Sequence, residues 1–301
     1  MKLIPTLILT LITMAFAMPA MADEEMMPFV LASKGAGDKG AIVADVKGKL
    51  SGAGFEVVGE YSPYTTVTII AFTNNTLKSA AAASEYGAYA AAQRVSVTDV
   101  NGEIQVAYTN PAYLAQVYRL AQDLTDVRQQ LATALGDMGE FGPKEGLKSK
   151  KLRKYHYMFS MPYVDDPDTL AVYDSYEAAV SAVEKGLAAN TEGVSKVYGI
   201  NLPGNKTLFG VAMTKGKTAD DYIMSEIDFK ELRSSAHLPY EILVDGNKVY
   251  ALNARFRIAI NFPDLKMMGS NSFMNIMSSP DAIKRALRKA SGGKEEEKSG
   301  Y

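Results

Sequence analysis

The fold of this chain is decided by one stretch, residues 95–111, which reads VSVTDVNGEIQVAYTNP. Two runs rich in β-branched residues flank Asn101-Gly102, a dipeptide that favours a tight β-hairpin because both residues tolerate a positive φ. Pro111 suits the first position of a helix, where its missing N–H breaks no hydrogen bond. The stretch therefore predicts a β-hairpin that leads into a long helix ending near Leu135.

The same pattern returns in the second half of the chain. Residues 252–263 align with residues 100–111 without a gap, and apolar and polar positions alternate in both. Such alternation is typical of a strand with one buried face. We expect a strand whose polar face carries Asn253, Arg255, Arg257 and Asn261.

Helical and β-rich runs occur in one order around both stretches. The sequence therefore predicts an α+β fold of two tandem βαββ(α)ββα domains, each an antiparallel sheet with its helices on one face. The predicted boundaries are a first repeat domain at 23–136, a linker at 137–154, a second repeat domain at 155–291 and a flexible tail at 292–301. The lysine-rich run in the linker is interpreted as solvated, the alternative being a membrane- or nucleic-acid-binding patch.

These motifs resemble the domain of unknown function 302. The first half carries a Gly hairpin at Asn101-Gly102 followed by Tyr108-Thr109-Asn110-Pro111, similar to that family's Tyr-x-x-Pro helix start. In the second half, residues 237–244 (HLPYEILV) look like its Leu-Pro-led strand and residues 261–265 (NFPDL) like the helix start. The resemblance implies a TATA-binding-protein-like fold, often paired, without an established chemistry, and a shared fold does not imply DNA binding.

The N-terminus predicts export from a bacterial cell. Met1-Lys2 is followed by an apolar run and then by Pro19-Ala20-Met21-Ala22. A basic start, a short apolar core and small residues before a cleavage point are typical of a secretory signal peptide. We expect cleavage after Ala22 and a periplasmic or secreted protein without a membrane span. The alternative is an uncleaved anchor.

Composition narrows the function classes. The chain has no Cys and two His, so thiolate metal sites, disulfides and cysteine nucleophiles are excluded. Its 32 basic and 34 acidic side chains give a formal charge of −2, which does not favour a nucleic-acid partner. No cofactor and no metal site are predicted. Oligomeric state stays open, a homodimer included.

The candidate residues fall into three groups. The polar strand face could meet Glu103 of the other domain or an anionic ligand, since Arg suits fork-like recognition of carboxylates. Met267, Met268 and Phe273 belong to a methionine cluster that is either core or an adaptable binding surface, with copper binding as a third alternative. His237 is the candidate general base if the protein is an enzyme.

These observations favour a non-enzymatic binding module. We expect it to take a small apolar or amphipathic ligand, or a protein partner, in a sheet–helix or inter-domain groove. The alternative is a periplasmic enzyme or redox accessory protein that uses His237.

Overall fold

A computed structural model describes residues 25–294 of the chain. These residues form helices and antiparallel sheets, which confirms the predicted α+β class. The predicted signal peptide and residues 295–301 of the predicted tail lie outside the described residues. No described helix is long and apolar enough to cross a membrane.

The N-terminal half, residues 25–154, holds the predicted hairpin at its centre. Its strands are β1 (Glu25–Met26), β2 (Phe29–Gly35), β3 (Glu56–Tyr61), β4 (Val67–Thr73), β5 (Gln93–Val100), β6 (Glu103–Thr109), β7 (Glu140–Phe141) and β8 (Leu147–Lys148). Its helices are α1 (Lys39–Gly52), α2 (Asn75–Ala82), α3 (Pro111–Val117), α4 (Thr125–Leu135) and α5 (Ser149–Leu152).

The C-terminal half, residues 155–294, is built from the remaining elements. Its strands are β9 (Asp168–Val172), β10 (Val194–Leu202), β11 (Lys206–Met213), β12 (Tyr240–Asp245) and β13 (Lys248–Ala251). Its helices are α6 (Tyr176–Ala188), α7 (Asp220–Ile227), α8 (Ala254–Asn261) and α9 (Ser279–Ala290).

The two large sheets have corresponding strand orders. The first is β3-β4-β5-β6-β2-β7 and the second is β10-β11-β12-β13-β9, while β1 and β8 form a separate pair. In each large sheet the strand that comes first in the chain lies beside the fifth: β2 lies beside β6, and β9 lies beside β13. Every pairing is antiparallel.

The central hairpin of the N-terminal half forms as predicted. Asn101 and Gly102 take φ values of 54° and 89°, the left-handed conformation that a two-residue hairpin turn needs. The Asp99 carboxylate accepts a 2.8 Å hydrogen bond from the Gly102 N–H. Pro111 occupies the first turn of α3, which the Asn110 side chain caps.

The two halves share one core. Side chains of the second sheet, including Tyr198, Ile200 and Leu243, are buried in the same apolar cluster as Phe72 and Val95 of the first. Short 3₁₀ turns connect the halves reciprocally. Gly87–Ala90 packs on β11 and β12, and Ser235–His237 packs on β4, β5 and β6.

Two predictions of secondary structure are wrong. The predicted helix from Pro111 to Leu135 is broken into α3 and α4 because the chain turns through left-handed conformations at Arg119 and Leu124.

The gap-free alignment of residues 252–263 with 100–111 is also wrong, because Ala254–Asn261 is the helix α8 and not a strand. The Asn253 side chain caps this helix by accepting a hydrogen bond from the Arg255 N–H at 3.0 Å. Nearly every residue of α8 is buried, so its apolar positions carry no helical periodicity and mimic strand alternation.

The segment predicted as the linker carries structured elements of its own. Glu140–Phe141 pairs with Phe29–Val30 as the last strand of the first sheet, and Leu147–Lys148 pairs with the β1 strand. The single-turn helix α5 follows, with Leu152 buried in the shared core.

Candidate functional site

A groove of about 1030 Å³ lies between the two halves. Its N-terminal wall consists of Tyr64 and Thr66, which precede β4, and of residues 98–101 at the tip of the central hairpin. Its C-terminal wall consists of one face of α7 and residues that follow that helix. Those residues are Asp221, Tyr222, Met224, Ser225, Asp228, Phe229 and Arg233.

A buried carboxylate fixes the beginning of α7. Asp220 accepts a 3.0 Å hydrogen bond from the Met213 N–H and a 3.3 Å hydrogen bond from the Tyr61 hydroxyl of the N-terminal half. Burial raises the pKa of Asp220 to about 7, although both hydrogen bonds and the Arg257 charge favour the ionised form. The other oxygen of this carboxylate has no hydrogen-bond partner among the described residues.

A second buried carboxylate fixes the segment after α7. Asp228 accepts hydrogen bonds from the Ser234 N–H at 2.8 Å and from the Ser235 hydroxyl at 3.1 Å. The Ser235 hydroxyl also lies 3.3 Å from the Tyr64 hydroxyl of the N-terminal half. Burial raises the pKa of Asp228 to about 6. Both ends of α7 are thus connected to tyrosines of the N-terminal half.

The lining of the groove is amphipathic. Phe229, which follows α7, is 49% exposed. The ring of Tyr222 on α7 has the Lys217 ammonium 4.2 Å from its centroid. Asp99 and Asp221 lie on opposite walls, and neither forms an ion pair with a described residue. The Thr98 hydroxyl is buried without a hydrogen-bond partner in the described part of the chain.

A charged network lies in the buried interface between the sheets. The Glu241 carboxylate on β12 pairs with the Arg94 guanidinium on β5 and accepts a 2.9 Å hydrogen bond from the Tyr198 hydroxyl. Its second oxygen lies 3.6 Å from the Arg257 Nε. Each of these charged side chains is almost completely buried. Because isolated buried charges are strongly disfavoured, this network joins the two sheets in one arrangement.

His237 belongs to that network and not to the groove. Arg257 donates a 2.6 Å hydrogen bond to the His237 backbone oxygen, and its guanidinium lies 3.2 Å from the ring Nε2. The imidazole packs edge-on against Tyr240 and Phe262, with 0% exposure. Burial, together with the charges of Arg257 and Arg94, holds the pKa of His237 well below its usual range. The ring has no contact with solvent.

The structure separates the residues predicted to share a polar strand face. Asn253 caps α8, and Arg255 forms hydrogen bonds of 3.0 and 3.1 Å with Asp281 of α9. Arg257 enters the buried network, and Asn261 donates to the Arg257 backbone oxygen at 2.8 Å. These positions lie on a helix, so the strand face predicted for them does not exist.

The predicted contact of that face with Glu103 is not formed. The Glu103 carboxylate lies 3.9 Å from the Lys34 ammonium within its own half. Its neighbour Gln105 does reach the C-terminal half, where it donates to the Glu231 backbone oxygen at 3.0 Å and accepts from the Arg233 N–H at 3.1 Å.

The residues of the predicted methionine cluster lie in two places, a small void and the exposed surface. Met267 and Phe273 line a void of about 20 Å³, which has room for about one water molecule. Met268 is 74% exposed. Among the described residues, no group of three or more His, Asp or Glu side chains is arranged to hold a metal ion.

The sequence reasoning missed the groove residues because they come from four separate segments. Asp220-Asp221 has the pattern of a helix cap, and Phe229 follows in a long excursion between strands. The available signal was that excursion, which places carboxylates and aromatic side chains outside any regular strand.

Comparison with known proteins gives no relative: no family model, no curated protein and no solved structure matches this chain.

Proposed function

We propose that this protein is a non-enzymatic binding module whose ligand site is the groove between the two halves. The observation that carries the proposal is the groove itself, about 1030 Å³ in volume and lined by both halves. Small-molecule sites are concave, of comparable size and common at domain interfaces. His237, the candidate general base, does not line it.

The lining favours an amphipathic ligand with a positively charged group. Phe229 offers aromatic surface that suits both an apolar chain and a cation. Tyr222, whose ring already carries the Lys217 ammonium, adds apolar surface. Asp99 and Asp221 add carboxylates without an ion-pair partner among the described residues, whereas the Arg233 guanidinium already donates to the Asp228 backbone oxygen. An organic ammonium group attached to a short apolar chain matches this combination.

Calorimetric titration with matched probes tests the proposal. We expect octyltrimethylammonium to bind and octyl sulfate, which has the same chain and the opposite charge, to bind at least about tenfold more weakly. Asp221→Asn and Phe229→Ala should each weaken binding of the ammonium probe by about two- to fivefold.

Matched control variants separate the groove from the remaining surface. Asp174→Asn removes an exposed carboxylate, and Val172→Ala shortens an exposed apolar side chain, at positions that do not line the groove. Binding should be unchanged in both. Equal binding of the two probes, or equal losses in groove and control variants, would contradict the proposal.

We also propose that the two halves are tandem copies of one domain of the TATA-binding-protein-like kind, as in the domain of unknown function 302. The corresponding strand orders of the two large sheets support this proposal. Further support comes from the Asn side chains, Asn110 and Asn253, that cap the helix after the last hairpin strand in each half.

The proposal includes export to the periplasm or the medium, on the sequence pattern of residues 1–22. The mass of the mature protein recovered from its host tests it. We expect a chain that begins at Asp23, and a mass that includes Met1–Ala22 would contradict export with cleavage.

A further inference from the structure

Two loops of the C-terminal half bring exposed apolar side chains together. Tyr157 donates a 2.6 Å hydrogen bond to the Leu265 backbone oxygen, and Met161 lines the same small void as Met267 and Phe273. The exposed members of these loops are Met158, Phe159, Met268, Met274 and Met277. We call this set the apolar rim.

Phe159 is the centre of the argument because it is 94% exposed. Its loop is held on both sides: Tyr155 is buried and donates to the Ala259 backbone oxygen at 3.1 Å, and Met161 faces the void. The fold therefore presents an aromatic side chain to solvent on an anchored loop. An exposed patch of large apolar side chains on a soluble surface marks an interaction site.

A cationic segment leads directly into the apolar rim. Lys148, Lys150, Lys151 and Lys154 are exposed, and none of them forms an ion pair with a described residue. The segment is fixed by Leu152, which is buried, and by the Arg153 guanidinium, which donates to the Leu120 backbone oxygen at 3.1 Å. Lys154 lines a cleft with His156 and Tyr163. The same cleft holds Asp166 and Asp165, and the Asp165 carboxylate is paired with the Arg119 guanidinium at 3.0 Å.

We propose that the apolar rim and these four lysines form a docking surface for an anionic lipid membrane. Exposed aromatic and methionine side chains insert into the headgroup region, and neighbouring lysines are attracted to the negative surface potential. The positive charge of the segment favours an anionic membrane over a second copy of the chain. A second copy would bring the same four lysines to the interface, and like charges would repel each other. The rim adjoins the groove, because the Tyr222 hydroxyl donates a 3.0 Å hydrogen bond to the Asn275 backbone oxygen between Met274 and Met277. The observations that support membrane docking are the exposed rim and the four lysines, so this inference does not depend on the proposed function.

A single tryptophan provides the direct test. The chain has no Trp, so Phe159→Trp places one fluorescent reporter in the apolar rim. We expect a blue shift of its emission on vesicles that contain phosphatidylglycerol, and none on vesicles of phosphatidylcholine alone. Because the attraction is electrostatic in part, added salt should reduce the shift.

Charge-matched variants of the reporter protein test whether the lysines of the segment contribute to vesicle binding. Lys150→Glu with Lys151→Glu should weaken vesicle binding by at least about tenfold, since each lysine near an anionic surface contributes roughly a fivefold gain in affinity. Lys185→Glu with Lys196→Glu changes the net charge equally at exposed positions elsewhere, and should retain most of the binding. Thermal midpoints of all variants are measured to verify folding.

Three results would overturn the proposal. The first is no blue shift on the anionic vesicles, and the second is an equal shift on neutral ones. The third is a parent protein that does not bind vesicles but sediments as a dimer, and whose dimer is dissociated by Phe159→Asp. That result would show that a second copy of the chain covers the rim.

Discussion

At the scale of single residues, Glu241 determines how the two sheets meet. Its carboxylate is the negative charge between Arg94 of the first sheet and Arg257 of α8, and all three side chains are buried. Two buried guanidinium groups without that charge would repel each other in a medium that screens poorly. The network thus makes the arrangement of the halves depend on one side chain.

Glu241→Gln should therefore be strongly destabilising. We expect the free energy of unfolding, measured by urea denaturation, to fall by about 3–5 kcal/mol, the usual loss when one partner of a buried ion pair is removed. Glu231→Gln is the matched control, because that side chain is 83% exposed, and its effect should stay within about 0.5 kcal/mol. Equal effects of the two substitutions would refute a structural role for the network.

Asp220 should make stability depend on pH. Its pKa of about 7 in the folded protein lies above its ordinary value of 3.8, so the folded state binds the proton more tightly than the unfolded state does. This contribution is complete below about pH 4 and is lost as the pH rises to about 7, with a slope of up to about 1.4 kcal/mol per pH unit.

The variant Asp220→Asn should not show this fall in unfolding free energy between pH 4 and pH 7. The difference in unfolding free energy between variant and parent is expected to grow in the variant's favour from pH 4 to pH 7. Asp174→Asn, which removes an exposed carboxylate outside this cluster, is the matched control. A constant difference for Asp220→Asn across this range would show that Asp220 does not titrate there.

At the scale of secondary-structure elements, Arg255 joins α8 to α9. Its two hydrogen bonds reach Asp281 at the beginning of α9, and both side chains are partly exposed. Hydrogen bonds from Arg255 lower the pKa of Asp281. The pair lies within the C-terminal half, in contrast to the inter-domain contact expected from the sequence.

Arg255→Asp should accordingly cost little. We expect a loss of at most about 1 kcal/mol in unfolding free energy, as for other partly exposed ion pairs. The charge swap Arg255→Asp with Asp281→Arg should recover most of it. A loss as large as that of Glu241→Gln would instead support a role of Arg255 between the halves.

A structural feature can be predicted from the sequence when it is determined by residues that are neighbours in the chain. The turn at Asn101-Gly102 and the proline at the start of α3 depend on neighbouring residues, and both are present. The helix α8 was mistaken for a strand because its burial on all sides comes from tertiary packing. The groove escaped prediction for the same reason, since its walls meet only after folding.

At the scale of the whole molecule, the halves form one cooperative unit. Ile200 of the second sheet and Phe72 of the first are buried in a single apolar cluster, and each half covers the sheet of the other with a 3₁₀ turn. Neither half can keep this core when the other unfolds. We expect one calorimetric transition, with equal calorimetric and van't Hoff enthalpies. Two resolved transitions would indicate independent domains.

The groove follows from this arrangement, because its two walls belong to different halves. Tyr61 donates a hydrogen bond to the buried Asp220 carboxylate, and Tyr64 is connected to the buried Asp228 carboxylate through the Ser235 hydroxyl. A ligand that binds there should raise the midpoint of the single transition, since it binds only the paired state.

The most direct test of the groove as the binding site is a fluorescence titration of Phe229→Trp, whose tryptophan is unique in the chain. We predict a saturable emission change with octyltrimethylammonium, little change with octyl sulfate, and none with either probe for Val172→Trp, a reporter at an exposed position outside the groove. A flat titration at position 229, or the same response at position 172, would contradict the account.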